Sequence, residues 1–120
     1  MPDDPIDAAT FDDLLETVGG DSAFLAELVD TYLADSPGLF RELRDAVEDG
    51  DAATARRAAH TLKSTSASFG ALELSGICRA MEASAAEGEL AGIGERVEAA
   101  AAEYARVETA LRARTERGAA

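Results

Sequence analysis

The sequence predicts an all-α fold, an antiparallel four-helix bundle with a short extra helix at its N-terminal end. Alanine, leucine and charged residues dominate, and β-branched or aromatic runs are absent. No segment alternates apolar and polar residues with period two, whereas several repeat apolar residues every three or four positions. Glycines at 19–20, 50, 70 and 88 divide the chain into helix-length pieces. The connections between those pieces are so short that successive helices must run antiparallel.

Residues 7–18 form the short helix, with Ile6, Phe11, Leu14, Leu15 and Val18 on one side and Gly19-Gly20 ending it. Asp21 or Ser22 caps a longer helix whose apolar positions run Phe24, Leu25, Leu28, Tyr32, Ser36, Phe40, Leu43 and Val47. Pro37 interrupts this pattern without changing its phase. It either kinks one helix or starts a collinear second one capped by Ser36, because proline suits a first turn and removes a hydrogen bond further in. Gly50 closes the segment, and Asp51 caps a helix running to about Phe69, with Ala55, Ala59, Leu62, Ser66 and Phe69 as its inward stripe. Gly70 forces a reversal into a helix over 71–86, which buries Leu74, Ile77, Cys78, Met81 and Ala85 before Gly88. The last helix carries Leu90, Ile93, Val97, Ala100, Tyr104, Val107 and Leu111, a long bundle seam whose start is blurred by Gly92 and Gly94. Residues Thr115 to Ala120 read as a frayed end.

A chain of 120 residues, 47% apolar, is expected to be a single domain over 1–120 with one core. Its net charge of −13 argues against nucleic-acid or anionic-membrane binding, since both draw affinity from a basic surface. No apolar run approaches the ~20 residues of a membrane span, and Met1-Pro2-Asp3-Asp4 is acidic where a secretory signal is basic, so a cytoplasmic protein is expected. The single cysteine, Cys78, sits on an apparent core face and has no partner for an internal disulfide.

Against this acidic background, the helix after Asp51 carries the only histidine, His60, and the only lysine, Lys63. At ~100° per residue, His60 points away from the inward stripe and shares the outer face with Arg56, Arg57, Lys63, Ser64 and Ala67. Such a face is suited to an anion. One histidine and one core cysteine cannot build a zinc site, and Arg57 stands where a di-iron bundle needs glutamate, so no metal is expected. With no pocket or Gly-rich oxyanion loop, a hydrolytic triad is a poor candidate, and no phosphate-cradling loop precedes a helix. No cofactor follows from the sequence.

Histidine as a nucleophile toward phosphorus remains. Neutral imidazole titrates near neutrality and can take up and release a phosphoryl group without strong activation. Charge on the equatorial oxygens of a loose transition state calls for a cation nearby, which Lys63 at i+3 supplies with Arg56 at i−4 as a weaker helper. Across the turn, His60 lies ~15 Å before Gly70 and Glu82 ~18 Å after it, at 1.5 Å per residue. The two should therefore sit at similar height on adjacent helices. Glu82 is then a candidate orienter that accepts a hydrogen bond from one ring nitrogen and leaves the other free; the alternative is a solvated glutamate paired with Arg79 or Arg56.

The run His60-x-Leu62-Lys63-small-x-Ser66-x-x-Phe69-Gly70-Ala71, followed by Leu74 and Cys78-Arg79-Ala80-Met81-Glu82, resembles the histidine-containing phosphotransfer (HPt) domain of bacterial phosphorelays. The helix pattern extends the resemblance over residues 21–112. It implies an antiparallel four-helix bundle in which His60 accepts a phosphoryl group from a receiver-domain aspartate and passes it to another receiver domain. It also implies a carrier more than an enzyme, since in that family the receiver brings Mg²⁺ and most catalytic groups. The implied partners are response-regulator receiver domains and a hybrid sensor histidine kinase, and the implied oligomeric state is a monomer. Docking is expected over Arg56, Arg57, Ser64, Ala67 and Arg79. Two departures stand out: Ser64 replaces the usual glycine, narrowing clearance, and Glu82 replaces a frequent glutamine.

Two rival classes remain open at this stage. A helical adaptor would bind receivers without being phosphorylated, with Ser64 as its only support. The dimerising hairpin of a sensor kinase normally has an acidic residue after the histidine, where this chain has Thr61, and it is an obligate dimer.

Overall fold

The computed structural model describes residues 4–119, with side chains as far as Glu116. Among these, the helices are α1 (Ala8–Thr17), α2 (Ser22–Asp49), α3 (Ala52–Ser68), α4 (Leu72–Ala86) and α5 (Ile93–Ala119). Aspartates start the first three. Asp7, Asp21 and Asp51 each accept a hydrogen bond from the backbone N–H three residues on, satisfying a donor that lacks a partner inside the helix. Asp21, not Ser22, is thus the cap of α2. The α4 N-cap, Ala71, makes no such side-chain bond.

Helix α2 packs on α3, α3 on α4, α4 on α5 and α5 back on α2, while the backbones of the diagonal pairs stay farther apart. The result is the expected four-cornered antiparallel bundle, and α1 lies across α2 and α3 at one end. A single apolar cluster runs from Ile6 to Leu111 and includes the fully buried Cys78, whose thiol is pushed up to about 12 by burial.

The inner face of α2 differs from the sequence expectation. Phe24 is 45% exposed, while Val29, Leu33 and Ala46 are buried. The seam is Leu25, Val29, Tyr32, Ser36, Phe40 and Leu43, and a residue one step before Leu25 is turned ~100° away from it. Val47, expected inside, is only partly buried for the same reason.

Pro37 lies inside one continuous α2. It brings no N–H to the carbonyl of Leu33, and the hydroxyl of Tyr104 on α5 donates to that oxygen at 3.3 Å. The Ser36 hydroxyl donates to the Tyr32 carbonyl at 2.7 Å. The Tyr32 hydroxyl in turn pairs with Ser66 of α3 at 2.8 Å, so the serines in the apolar seams are satisfied. Burial pushes the Tyr32 phenol above its ordinary range.

Gly70 adopts φ 87°, and a Cβ there would lie 2.8 Å from the Asp7 carbonyl oxygen. The Asp7 N–H donates to the Gly70 carbonyl at 2.8 Å, so the entry to α1 is seated on the α3–α4 turn. Ile6 and Phe11 are buried beside it, with the Arg114 guanidinium 5.1 Å from the Phe11 ring centre. The C-terminal end is better formed than expected. Thr115 is helical, its hydroxyl donating to the Leu111 and Arg112 carbonyls, and Arg114 pairs with Asp4 at 3.1 Å. Ala120, also expected to fray, and Met1 to Asp3 lie outside the described residues.

Candidate functional site

Helix α3 turns Ala55, Ala58, Ala59, Leu62 and Ser66 into the core, which leaves His60 on the opposite face with its side chain 57% exposed. Small residues along this stripe let α3 lie close to its neighbours. The Ser75 hydroxyl of α4 donates to the Lys63 carbonyl at 3.0 Å, tying the two helices together close to the histidine.

Glu82 comes level with His60 on α4. His60 Nδ1 is 2.7 Å from Glu82 Oε2, and Lys63 Nζ is 2.6 Å from Glu82 Oε1. One carboxylate therefore holds the imidazole and the ammonium with different oxygens. The Lys63 hydrogen bond, reinforced by that from His60 and by the Lys63 charge, holds the Glu82 carboxyl below its ordinary range despite partial burial. An ionised carboxylate can only accept, so Nδ1 is the donor; in the neutral imidazole this leaves the lone pair on Nε2, directed away from Glu82.

The pairing of Glu82 with Arg79 or Arg56, which local spacing offered, does not occur. Both arginines are exposed and make no ion pair with the described residues. Arg56, Arg57, Ala53, His60 and Glu82 line a shallow depression of 310 Å³, so two of the expected cations border the ring. Ser64 is exposed one turn further on, its carbonyl accepting from the Ser68 hydroxyl, and Ala67 is half-buried. No group of three metal-ligating side chains occurs among the described residues.

Sequence reasoning placed Lys63 on the ring's face but missed its bond to Glu82, for which periodicity carries no signal. It also missed a groove of 660 Å³ between α1, α2 and α3, walled by Leu14, Leu28, Leu39 and Phe69 and bordered by Thr61 and Thr65.

The Hpt domain model matches residues 27–112, a stretch that runs from α2 to α5 and includes His60, Lys63 and Glu82. The chain belongs to the Hpt domain family. Hpt domains are phosphocarriers that work with receiver domains and hybrid kinases, and the role of this one is histidine phosphotransfer in the phosphorelays of two-component signalling. The Hpt fold is seen again in the crystal structure of histidine-containing phosphotransfer protein B from Pseudomonas aeruginosa. That protein is 31% identical, with a TM-score of 0.85 over 93% of this chain and 95% of its own. The HPT domain of a sensor hybrid histidine kinase from Shewanella shares the fold at 18% identity, with a TM-score of 0.74 over 94% and 95% of the two chains. No curated protein sequence matches significantly. No helix among the described residues is long and apolar enough to cross a membrane.

Proposed function

We propose that His60 is the residue that carries the phosphoryl group, accepted at Nε2 from the aspartyl phosphate of one receiver domain and given to the aspartate of another. The observation that carries this reading is the division of labour on the ring: Nδ1 is held by Glu82 at 2.7 Å on an exposed face, which leaves Nε2 of the neutral imidazole as the free nucleophilic nitrogen. Glu82 orients the ring. Lys63, one turn away and tied to Glu82 at rest, extends to the phosphoryl oxygens as charge builds on them. Mg²⁺ and the remaining catalytic groups come from the receiver, so the chain serves as a carrier and not as an enzyme.

Receivers dock over Arg56, Arg57, Ser64, Ala67 and Arg79, with the apolar groove beyond Thr61 and Thr65 extending the contact. The cationic patch stands in an otherwise acidic surface and steers an acidic partner toward the histidine. Residues 1–120 form one domain that acts as a cytoplasmic monomer, supplied by a hybrid sensor histidine kinase.

Incubation with a panel of phosphorylated receiver domains tests this. The expected result is acid-labile phosphate on the wild type and none on His60→Gln, with helical circular dichroism unchanged because exposed substitutions shift stability by less than ~0.5 kcal/mol. Undiminished labelling of His60→Gln, or phosphate that survives acid as a serine ester does, overturns the assignment.

A further inference from the structure

We propose that Glu82 keeps a proton on Nδ1 of His60 after Nε2 has been phosphorylated, so that its carboxylate sets how strongly this protein retains the phosphoryl group. The inference rests on His60 as the carrier and goes beyond orientation of the ring.

In the transfer step, the Nε2 lone pair forms the N–P bond while the P–O bond to the donor aspartate breaks, its electron pair leaving on the aspartate carboxylate. Nε2 carries no proton beforehand, so none is released. The ring passes from neutral to cationic with Nδ1–H still in place. Onward transfer breaks the N–P bond and returns its pair to Nε2 of a neutral imidazole. Had Nδ1 lost its proton, the leaving group would be the far more basic imidazolate.

The identity of residue 82 decides which of these states is held. A side-chain amide at this position accepts through oxygen or donates through nitrogen, and so follows the ring in either protonation state. A carboxylate only accepts. At 2.7 Å, an unprotonated Nδ1 would set its lone pair against Glu82 Oε2, whereas a phosphorylated cationic ring makes a charge-assisted bond there. In the resting protein Lys63 holds the other oxygen of Glu82 at 2.6 Å, so the carboxylate is already turned to the ring before transfer begins. The charged groups around the ring are Arg56, Arg57 and Lys63 on α3 and Glu82 on α4; Arg79 is exposed one turn before Glu82. Asp35 and Glu42 of α2 lie across Thr61. Of these, Glu82 alone touches the imidazole.

The test loads the protein with phosphoramidate, a small phosphoryl donor that needs no receiver, and follows the His60 ring nitrogens by NMR against pH in wild type, Glu82→Gln and Lys63→Met. Phosphate is expected on Nε2 throughout. The Nδ1 proton should be lost at lower pH in Glu82→Gln than in wild type. It should titrate higher than wild type in Lys63→Met, where the carboxylate serves the ring alone. In mixtures with a receiver, Glu82→Gln should shift the phosphoryl equilibrium toward the receiver by about five- to tenfold, the difference between a neutral and a charge-assisted hydrogen bond. Equal titration midpoints in wild type and Glu82→Gln, or in wild type and Lys63→Met, overturn the proposal while leaving the carrier reading intact. Failure of receivers to label His60 in a protein that phosphoramidate loads normally overturns the carrier reading instead.

Discussion

Replacing Tyr104 by phenylalanine removes one hydroxyl from the core, and Pro37 determines what that removal costs. The Leu33 carbonyl lies four residues before Pro37 and receives no helical N–H; the Tyr104 hydroxyl stands in at 3.3 Å. Leu33 and Tyr104 are 7% and 8% exposed, so water does not readily replace the lost donor. An unsatisfied buried carbonyl costs about 1–3 kcal/mol, and the length of this bond places Tyr104→Phe near 1 kcal/mol. For a domain of this size that lowers the melting temperature by about 3–5 °C. In a Pro37→Ala background, the new N–H serves Leu33 from within α2, and Tyr104→Phe should cost no more than about 0.3 kcal/mol. Urea unfolding of the wild type, the two single variants and the double variant measures the coupling, expected at about 0.7–1 kcal/mol with unchanged slopes. An equal penalty for Tyr104→Phe in both backgrounds would show that the hydroxyl does not replace the missing helical bond, and the account of how α2 tolerates its proline would fall.

Lys63→Ala should slow transfer between His60 and a receiver by about ten- to a thousandfold, as expected for loss of one donor to the transition state, while receiver binding by titration stays within about twofold. An unchanged transfer rate combined with loss of binding in Lys63→Glu would make the lysine a docking residue only. Ser64→Gly should lower the melting temperature by about 2–5 °C, since glycine inside a helix costs roughly 0.5–1 kcal/mol, and should keep or speed transfer. Ser64→Leu should block transfer with the melting curve nearly unchanged; wild-type transfer by Ser64→Leu would mean that receivers do not dock over this turn.

What the sequence could convey was whatever a regular helix carries along its own length. The α3 stripe, the Asp51 cap and the level of Glu82 opposite His60 all follow from a fixed rise and rotation per residue applied on either side of one glycine turn. The α2 seam was misjudged at Phe24 because adjacent apolar residues, Phe24 and Leu25, fit the same spacing rule, and only contact with α3 and α5 selects between them. Cross-helix bonds were less visible still. Arg79 lies three residues from Glu82 on α4 and offers an obvious local ion pair, yet Lys63 takes that carboxylate from the neighbouring helix. Tyr104 and Leu33 are joined across the bundle, with no periodic trace of the contact in either helix. The seat of α1 on Gly70 was equally hidden, because a turn glycine announces a reversal and not what will pack against it.

These bonds share a consequence for the histidine. A 2.7 Å contact between side chains on two helices persists only if the helices hold their relative height, because a slide of one residue along α4 displaces Glu82 by ~1.5 Å and also turns it ~100° away. The α3–α4 pair is fixed at several points along its length. Asp7 seats the Gly70 turn, Ser75 bonds the Lys63 carbonyl, and Tyr32 of α2 anchors Ser66 on the opposite side of α3. The site itself is exposed, as a carrier that must meet large partners requires, so little of its geometry can come from burial around the ring. Its order is instead transmitted from the core through the backbone of α3 and α4. Substitutions that loosen the turn or the Tyr32–Ser66 pair therefore act on the imidazole without touching it, because they alter the one distance, His60 to Glu82, on which the tautomer of the ring depends.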